Sequence, residues 1–255
     1  MKYFPALVAL CISTASMDQT DPKETEVWDP KPPVVTKTTA TTSVPPSDAV
    51  ILFDGKNLNQ WTSVNKPGTP AMWTVAGGVL TVKKDAGNIE TKQSFGDYQL
   101  HIEWKIPAKI TGEGQGRGNS GLFLASIGRG DAGYELQIMD GWENPTYVNG
   151  QAGSIYKQTP PMVNASKKPG EWQSYDVLWT APKFNADSTL KSPAYVTVFH
   201  NGVMIQNHTE LKGPTVYIGK AEYKQAHGAS PIKLQAHGDP SEPISFRNIW
   251  IRETK

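Results

Sequence analysis

Seven stretches of this chain alternate apolar and polar side chains with a period of two, and no window of ten or more residues carries a helical stripe. Alternation of that kind sends one set of side chains to a core and the other to solvent or a cleft, which is the pattern of half-buried strands. The stretches are 73–75, 79–82, 98–104, 134–138, 174–179, 195–199 and 244–251. Turn formers separate them, among them Gly77-Gly78, Phe95-Gly96-Asp97, Pro169-Gly170 and Asn201-Gly202. With no helices to cover a parallel sheet, βαβ architectures drop out. What remains is an all-β fold, an antiparallel two-sheet sandwich of jelly-roll form, read as one domain over 49–255. Trp61, Trp73 and Trp104 are expected in its core, and His101, His200, His208 and His227 on surfaces or in turns.

The chain ahead of that domain has a different composition. Met1 and Lys2 give a weakly positive start, and Tyr3 to Ile12 is an apolar run, interrupted by Pro5, too short to span a bilayer. Residues 1–17 are therefore read as an export signal or a lipoprotein signal. Two processing routes stay open: cleavage near Ser13-Thr14-Ala15, or lipid attachment to Cys11, where Leu10 is larger than the residue usual before a lipidated cysteine. Because Cys11 is the only cysteine, neither an intrachain disulfide nor a cysteine-based zinc site can form. Residues 18–48 are rich in Pro, Thr and charge and offer few apolar groups to offset ordering entropy, so they are expected to be a flexible tether. The expected location is outside the cytoplasm, in the periplasm or at the cell surface. With 25 Lys+Arg against 24 Asp+Glu, no global field favours nucleic acid or an anionic membrane. Membrane contact would come only through a lipid on Cys11.

Candidate site residues come from the outward sets of three strands. In 134–140, Glu135 and Gln137 share a face opposite Tyr134, Leu136 and Ile138, and a bend at Gly141 can bring Asp140 to the rim of the same face. In 117–124, Arg117 leads into a face carrying Asn119, Gly121 and Phe123, with Gly121 leaving a gap that lets a ligand approach the backbone or marks a bulge. In 231–238, Lys233, Gln235 and His237 lie opposite Ile232, Leu234 and Ala236. An outward polar row is most often just a solvated face, so clustering alone does not define a site. Three such rows converging on one face would suit a sugar, whose hydroxyls need paired donors and acceptors. Its C–H faces would stack on rings such as Trp142, Tyr156 or Trp172.

Several segments, in order, resemble the 3-keto-disaccharide hydrolase family. They are Leu52-Phe53-Asp54-Gly55-Lys56-Asn57-Leu58 with Trp61, Gly118-Asn119-Ser120-Gly121, residues 134–140, Gly153-Ser154-Ile155-Tyr156, Gly170-Glu171-Trp172, Leu234-Gln235-Ala236-His237-Gly238 and residues 246–251. The resemblance spans about Val50 to Arg252. It implies a concanavalin A-like jelly roll, frequent export, and cleavage of glycosides whose sugar a separate oxidoreductase has first oxidised at its third carbon. A ketone acidifies the neighbouring C–H, so elimination followed by hydration is the expected route, in contrast to the two-carboxylate chemistry of ordinary glycosidases. His237 is the first choice for the base, with Glu135 the alternative base or the group that orients it. Enolate charge would be met by Arg117, Lys233 or a bound divalent cation. Glu135, Asp140 and His237 would hold such a cation, although no spacing here is diagnostic of a metal. Gln137, Gln235, Asn119 and Tyr156 would hold hydroxyls, and Arg247 is read as pinning the two sheets together. The loops 142–147 and 184–188 would set which sugar enters. The competing readings are a lectin-like binding module on the same fold and a conventional glycosidase; the second is weakened because the same-face partners of Glu135 are Gln137 and Met139, not acids.

Overall fold

The computed structural model describes residues 21–31 and 44–254. The signal expected at 1–17, Cys11 included, lies outside the described residues, as do 18–20 and 32–43 of the expected tether. The strands run in chain order as β1 (Val50–Phe53), β2 (Trp61–Ser63), β3 (Thr74–Ala76), β4 (Val79–Thr81), β5 (Ile89–Thr91), β6 (Tyr98–Lys105), β7 (Ser120–Ser126) and β8 (Gly133–Ile138). They continue as β9 (Trp172–Thr180), β10 (Lys183–Phe184), β11 (Leu190–Ser192), β12 (Tyr195–His200), β13 (Val203–Glu210), β14 (Lys233–Leu234) and β15 (Ser245–Glu253). Helical structure among the described residues is limited to short 3₁₀ turns, and none is long and apolar enough to cross a membrane.

Two antiparallel sheets pack as a sandwich. The larger has eight strands in the order β13-β12-β9-β6-β15-β4-β3, with β1 also paired to β15; the smaller has five, β2-β5-β14-β7-β8. A short β10-β11 hairpin stands apart. Each sheet gives one alternating row to the space between them. Leu100, Ile102, Trp104, Tyr175, Val177 and Trp179 meet Leu122, Leu124, Tyr134, Leu136, Ile138 and Leu234, all at most 2% exposed. Burying each large side chain contributes about 1.5–3 kcal/mol, so these rows fix the register of both sheets. Two phenols cross the core to bond backbone: Tyr98 Oη donates to the Leu124 carbonyl at 2.6 Å and Tyr175 Oη to the Gln137 carbonyl at 2.9 Å. The second of these anchors the strand that carries Glu135 and Gln137.

Two of the four histidines expected on surfaces are buried. His101 is 2% exposed, stacked on Trp250 at 5.4 Å, with Nδ1 2.6 Å from Asp176 and Nε2 3.6 Å from Glu103. Burial opposes its protonation, yet Asp176 and Glu103 raise its pKa to about 9. His200, 1% exposed, stacks on Trp104 and bonds Gln173 through Nε2. Alternation puts His101 on the outer row of β6 without showing that Trp250 and two carboxylates cover it, whereas His200 shares the inward row of β12 with Val196 and Val198. Arg247 does not join the two sheets: its Nε donates to Glu103 Oε2 at 2.7 Å, tying β15 to its neighbour β6, and its guanidinium lies 4.1 Å from the Trp172 ring. Trp172 is thereby occupied on the larger sheet.

Part of the expected tether is seated on the sandwich. Asp21 caps a 3₁₀ turn at Pro22–Thr25 through the Lys23 N–H, and the following residues run against the loop at Tyr147–Lys157. Asn149 accepts from the Val27 N–H at 3.0 Å and donates to the Thr25 carbonyl at 2.9 Å, while the Val148 N–H donates to the Val27 carbonyl. The low apolar content of 18–48 hid this, because most of the bonds run through backbone.

Candidate active site

Strand register decides which outward side chains stand together on the smaller sheet. β8 pairs Glu135 with Phe123 and Gln137 with Gly121, β14 pairs Lys233 with Phe123, and the Gln235 N–H donates to the Gly121 carbonyl at 3.0 Å. Gln137, Gly121 and Gln235 thus form one cross-strand row, with Glu135, Phe123 and Lys233 in the next. Gly121 is the gap between them. A Cβ there would lie 2.6 Å from Glu135 Oε1 and 3.1 Å from the Phe123 ring, so the glycine leaves the carboxyl its place.

Above these rows is a cavity of about 170 Å³ lined by Gln115, Asn119, Asp131, Glu135, Gln137, Tyr156, Thr215, Tyr217, Gln235 and His237. It adjoins an outer vestibule of about 600 Å³, with Gln115, Tyr156, Tyr217 and His237 lining both. Of the residues expected at a site, Asn119, Glu135, Gln137, Tyr156, Gln235 and His237 meet here. Arg117, Asp140 and Lys233 do not. Arg117 Nε instead pairs with Asp140 Oδ2 at 2.7 Å, and Asp140, wholly buried, also accepts the Trp142 N–H through Oδ1. Burial raises the Asp140 pKa, opposed by the Trp142 N–H and the Arg117 charge. Lys233 points outward as alternation requires but is sealed under the 128–132 loop, where its ammonium donates to the carbonyls of Gly128, Gly130 and Ala132 at 2.8–3.0 Å. Burial lowers its pKa to about 8. Its function is to close a loop. Lys233→Met is expected to cost about 2 kcal/mol, because three loop carbonyls lose a charged donor while Gly130 and Ala132 keep bonds from Asn88 and Ile127, and to lower the melting temperature by roughly 4–8 °C in a thermal scan.

The cavity amides are oriented by one another. Gln137 Nε2 donates to Asn119 Oδ1 at 2.8 Å, Asn119 Nδ2 to the Gln115 carbonyl at 2.9 Å, and Gln115 Nε2 to the Gly150 carbonyl at 2.8 Å. Gln235 is 6% exposed and its Oε1 has no partner among the described residues, which leaves an acceptor for a ligand hydroxyl. Tyr156 and Tyr147 share a hydrogen bond at 2.6 Å between their hydroxyls.

Two titratable groups in the cavity are driven to opposite tasks. Glu135 is 5% exposed, and burial, assisted by the negative Asp131 and opposed by Lys233, raises its pKa to about 8. At neutral pH it is a carboxylic acid. His237 has Nδ1 3.0 Å from Asp239 Oδ2, with the Asp239 N–H also 3.2 Å from the same nitrogen. Burial works against ionisation of Asp239, yet hydrogen bonds from His237 and Ser241 and the Lys84 ammonium hold its pKa down to about 2. In a neutral imidazole, an Nδ1–H donated to that carboxylate, in place of acceptance of the Asp239 N–H, leaves the lone pair on Nε2. Glu135 therefore does not orient His237; Asp239 does. Asp239 was missed in the sequence although it stands two residues on, in His237-Gly238-Asp239. Gln115 was hidden in a glycine-rich run, and Thr215 and Tyr217 came from a loop with no periodicity to assign it. Asp140 takes no part in the cavity, and among the described residues no group of three or more His, Cys, Asp and Glu side chains is placed to hold a metal ion.

A jelly-roll sandwich with amides, a neutral acid and a carboxylate-supported imidazole gathered over one sheet is the architecture of a carbohydrate-active enzyme. The chain belongs to the 3-keto-alpha-glucoside-1,2-lyase-like domain family, which it matches over residues 48–252. It is 22% identical over 235 residues to the 3-keto-disaccharide hydrolase of Bacteroides thetaiotaomicron, a match covering 80% of this chain and 77% of that one. A crystal structure from Parabacteroides distasonis, of a protein provisionally assigned as a glycosyl hydrolase, is 52% identical and superposes with a TM-score of 0.77 over 91% of this chain and 96% of its own. A second from the same organism, at 21% identity and a TM-score of 0.56 over 82% and 94%, shares the fold.

Proposed function

We propose that this chain cleaves glycosides whose sugar carries a ketone at its third carbon, by elimination and then hydration. The observation that carries the reading is the pairing, in one cavity, of an imidazole held through Nδ1 by Asp239 and a carboxyl kept protonated by burial. His237 Nε2 takes the proton from the carbon beside the ketone, and the electron pair forms a double bond to the anomeric carbon as the glycosidic C–O bond breaks. Glu135 gives its proton to the departing oxygen. Water then adds to the anomeric carbon, Glu135 takes a proton from it, and the imidazolium, its N–H exchanged with solvent, delivers a proton to the neighbouring carbon. Both groups end as they began, and the net change is hydrolysis. Gln137, Asn119 and Gln235 support the ring hydroxyls and the enolate oxygen by donating and accepting hydrogen bonds.

The substrate ketone requires an oxidoreductase that removes hydrogen from the third carbon of a glycoside, acting in the same compartment. The apolar run 3–12 favours export for this chain, to the periplasm or cell surface. The reaction is tested by incubating the protein with methyl 3-keto-glucoside beside methyl glucoside in D₂O. Turnover of the ketone alone, with one deuterium gained at the second carbon beyond the no-enzyme control, is expected. Equal cleavage of both would overturn the proposal in favour of an ordinary glycosidase, and binding of both without turnover in favour of a lectin.

A further inference from the structure

The outer vestibule draws part of its wall from a segment far outside the matched domain. Glu26 lines it together with Gln115, Tyr147, Tyr156 and Tyr217. Glu26 is held there by specific bonds. Asn149, 1% exposed, spends its whole side-chain amide on Val27 and Thr25, on either side of Glu26. Lys157 donates to the Pro22 carbonyl at 2.6 Å while its ammonium lies 5.4 Å from the Tyr147 ring and 4.8 Å from the Tyr217 ring. One lysine therefore joins the N-terminal segment to two of the vestibule's three tyrosines. Trp28 adds an edge-on contact to Tyr147, with ring centroids 6.3 Å apart.

We propose that residues 21–28 complete a leaving-group subsite in the vestibule, with Glu26 as a specificity residue for a polyhydroxylated ring such as a second sugar. The assignment rests on the reaction proposed above. The inner cavity, with Glu135 and His237, takes the oxidised ring, and the leaving ring extends outward past Tyr156, Tyr217 and His237, the residues that line both spaces. Tyrosine faces suit the C–H faces of a sugar, and a carboxylate at the wall accepts hydroxyl protons. The same charge disfavours leaving rings that carry a carboxylate of their own.

Methyl 3-keto-glucoside fills only the inner cavity, whereas a 3-keto-glucosyl-glucose fills both. Glu26→Ala, a half-buried surface change, and Asn149→Ala, which releases the segment, are each compared with wild type on the two probes. Expected is a rise in KM of about tenfold for the disaccharide, the loss of about one charged hydrogen bond, with kcat and KM for the methyl glycoside within twofold of wild type. Parallel changes on both probes, or none on the disaccharide in Glu26→Ala, would overturn the subsite while leaving the reaction standing. No turnover of either probe by the wild type would overturn the reaction, and the subsite with it.

Discussion

Glu135→Gln is expected to lower kcat on a 3-keto-glycoside by roughly a thousandfold, the middle of the range for removing a positioned general acid, with little change in KM. The amide keeps the shape of the carboxylic acid beside Gly121 but has no proton that the glycosidic oxygen can take. The wild-type pH profile carries the same argument. Burial, with Asp131 adding to it and Lys233 opposing, raises the Glu135 pKa to about 8, so the acid is present below that pH and the rate falls as pH rises through it. In Glu135→Gln, residual activity should lose that alkaline limb. An unchanged limb would assign it to another group and remove Glu135 from the chemistry.

The loss of activity in Glu135→Gln should not be matched by a loss of stability. A carboxyl whose folded pKa lies above its unfolded value binds its proton more tightly in the folded state. Its contribution is intact below about pH 4.5 and is progressively lost as pH rises to about 8. By pH 7 the loss amounts to roughly 3 kcal/mol or less. Glu135→Gln, which cannot ionise, should therefore melt no lower than wild type at pH 8. Inactivity accompanied by a lower melting temperature would indicate a broken fold.

The alternation of polar and apolar residues made the sandwich legible, because period two fixes which side chains enter the core once strands are recognised, and Leu122, Leu136 and Leu234 stand where it put them. It also placed Glu135, Gln137, Asn119 and Gln235 over one cavity, because same-face neighbours on adjacent strands converge whatever the loops do. What alternation could not show is what covers a face. Lys233 has the outward position expected of it, yet the 128–132 loop folds over it and three carbonyls consume its ammonium. Arg117 and Asp140, each read as a ligand contact, satisfy one another instead. Composition likewise concealed the docking of 21–31, since Asn149 recognises the backbone of that segment and backbone has no signature in a residue count.

His237→Ala should bring the second large loss, again roughly a thousandfold in kcat, because no other imidazole lines the cavity. Added imidazole should restore part of the rate, since the removed side chain leaves room beside the cavity and the missing function is a diffusible base. Asp239→Asn isolates the supporting carboxylate, which touches His237 Nδ1. Its effect should be smaller, because the imidazole remains and loses only the carboxylate that bonds its Nδ1. The loss should fall on kcat, with KM within twofold of wild type, because Asp239 positions the base. Lys84 and Ser241, left without the carboxylate they now bond, make a melting curve necessary beside the kinetics. A folded Asp239→Asn with unchanged kcat would mean that the bond to Nδ1 does not support His237 as the base. Failure of imidazole to rescue His237→Ala would point the same way. The base would then have to be sought among the remaining acids of the cavity, with Asp131 first, since it faces Glu135 across the same space and is held by Asn88.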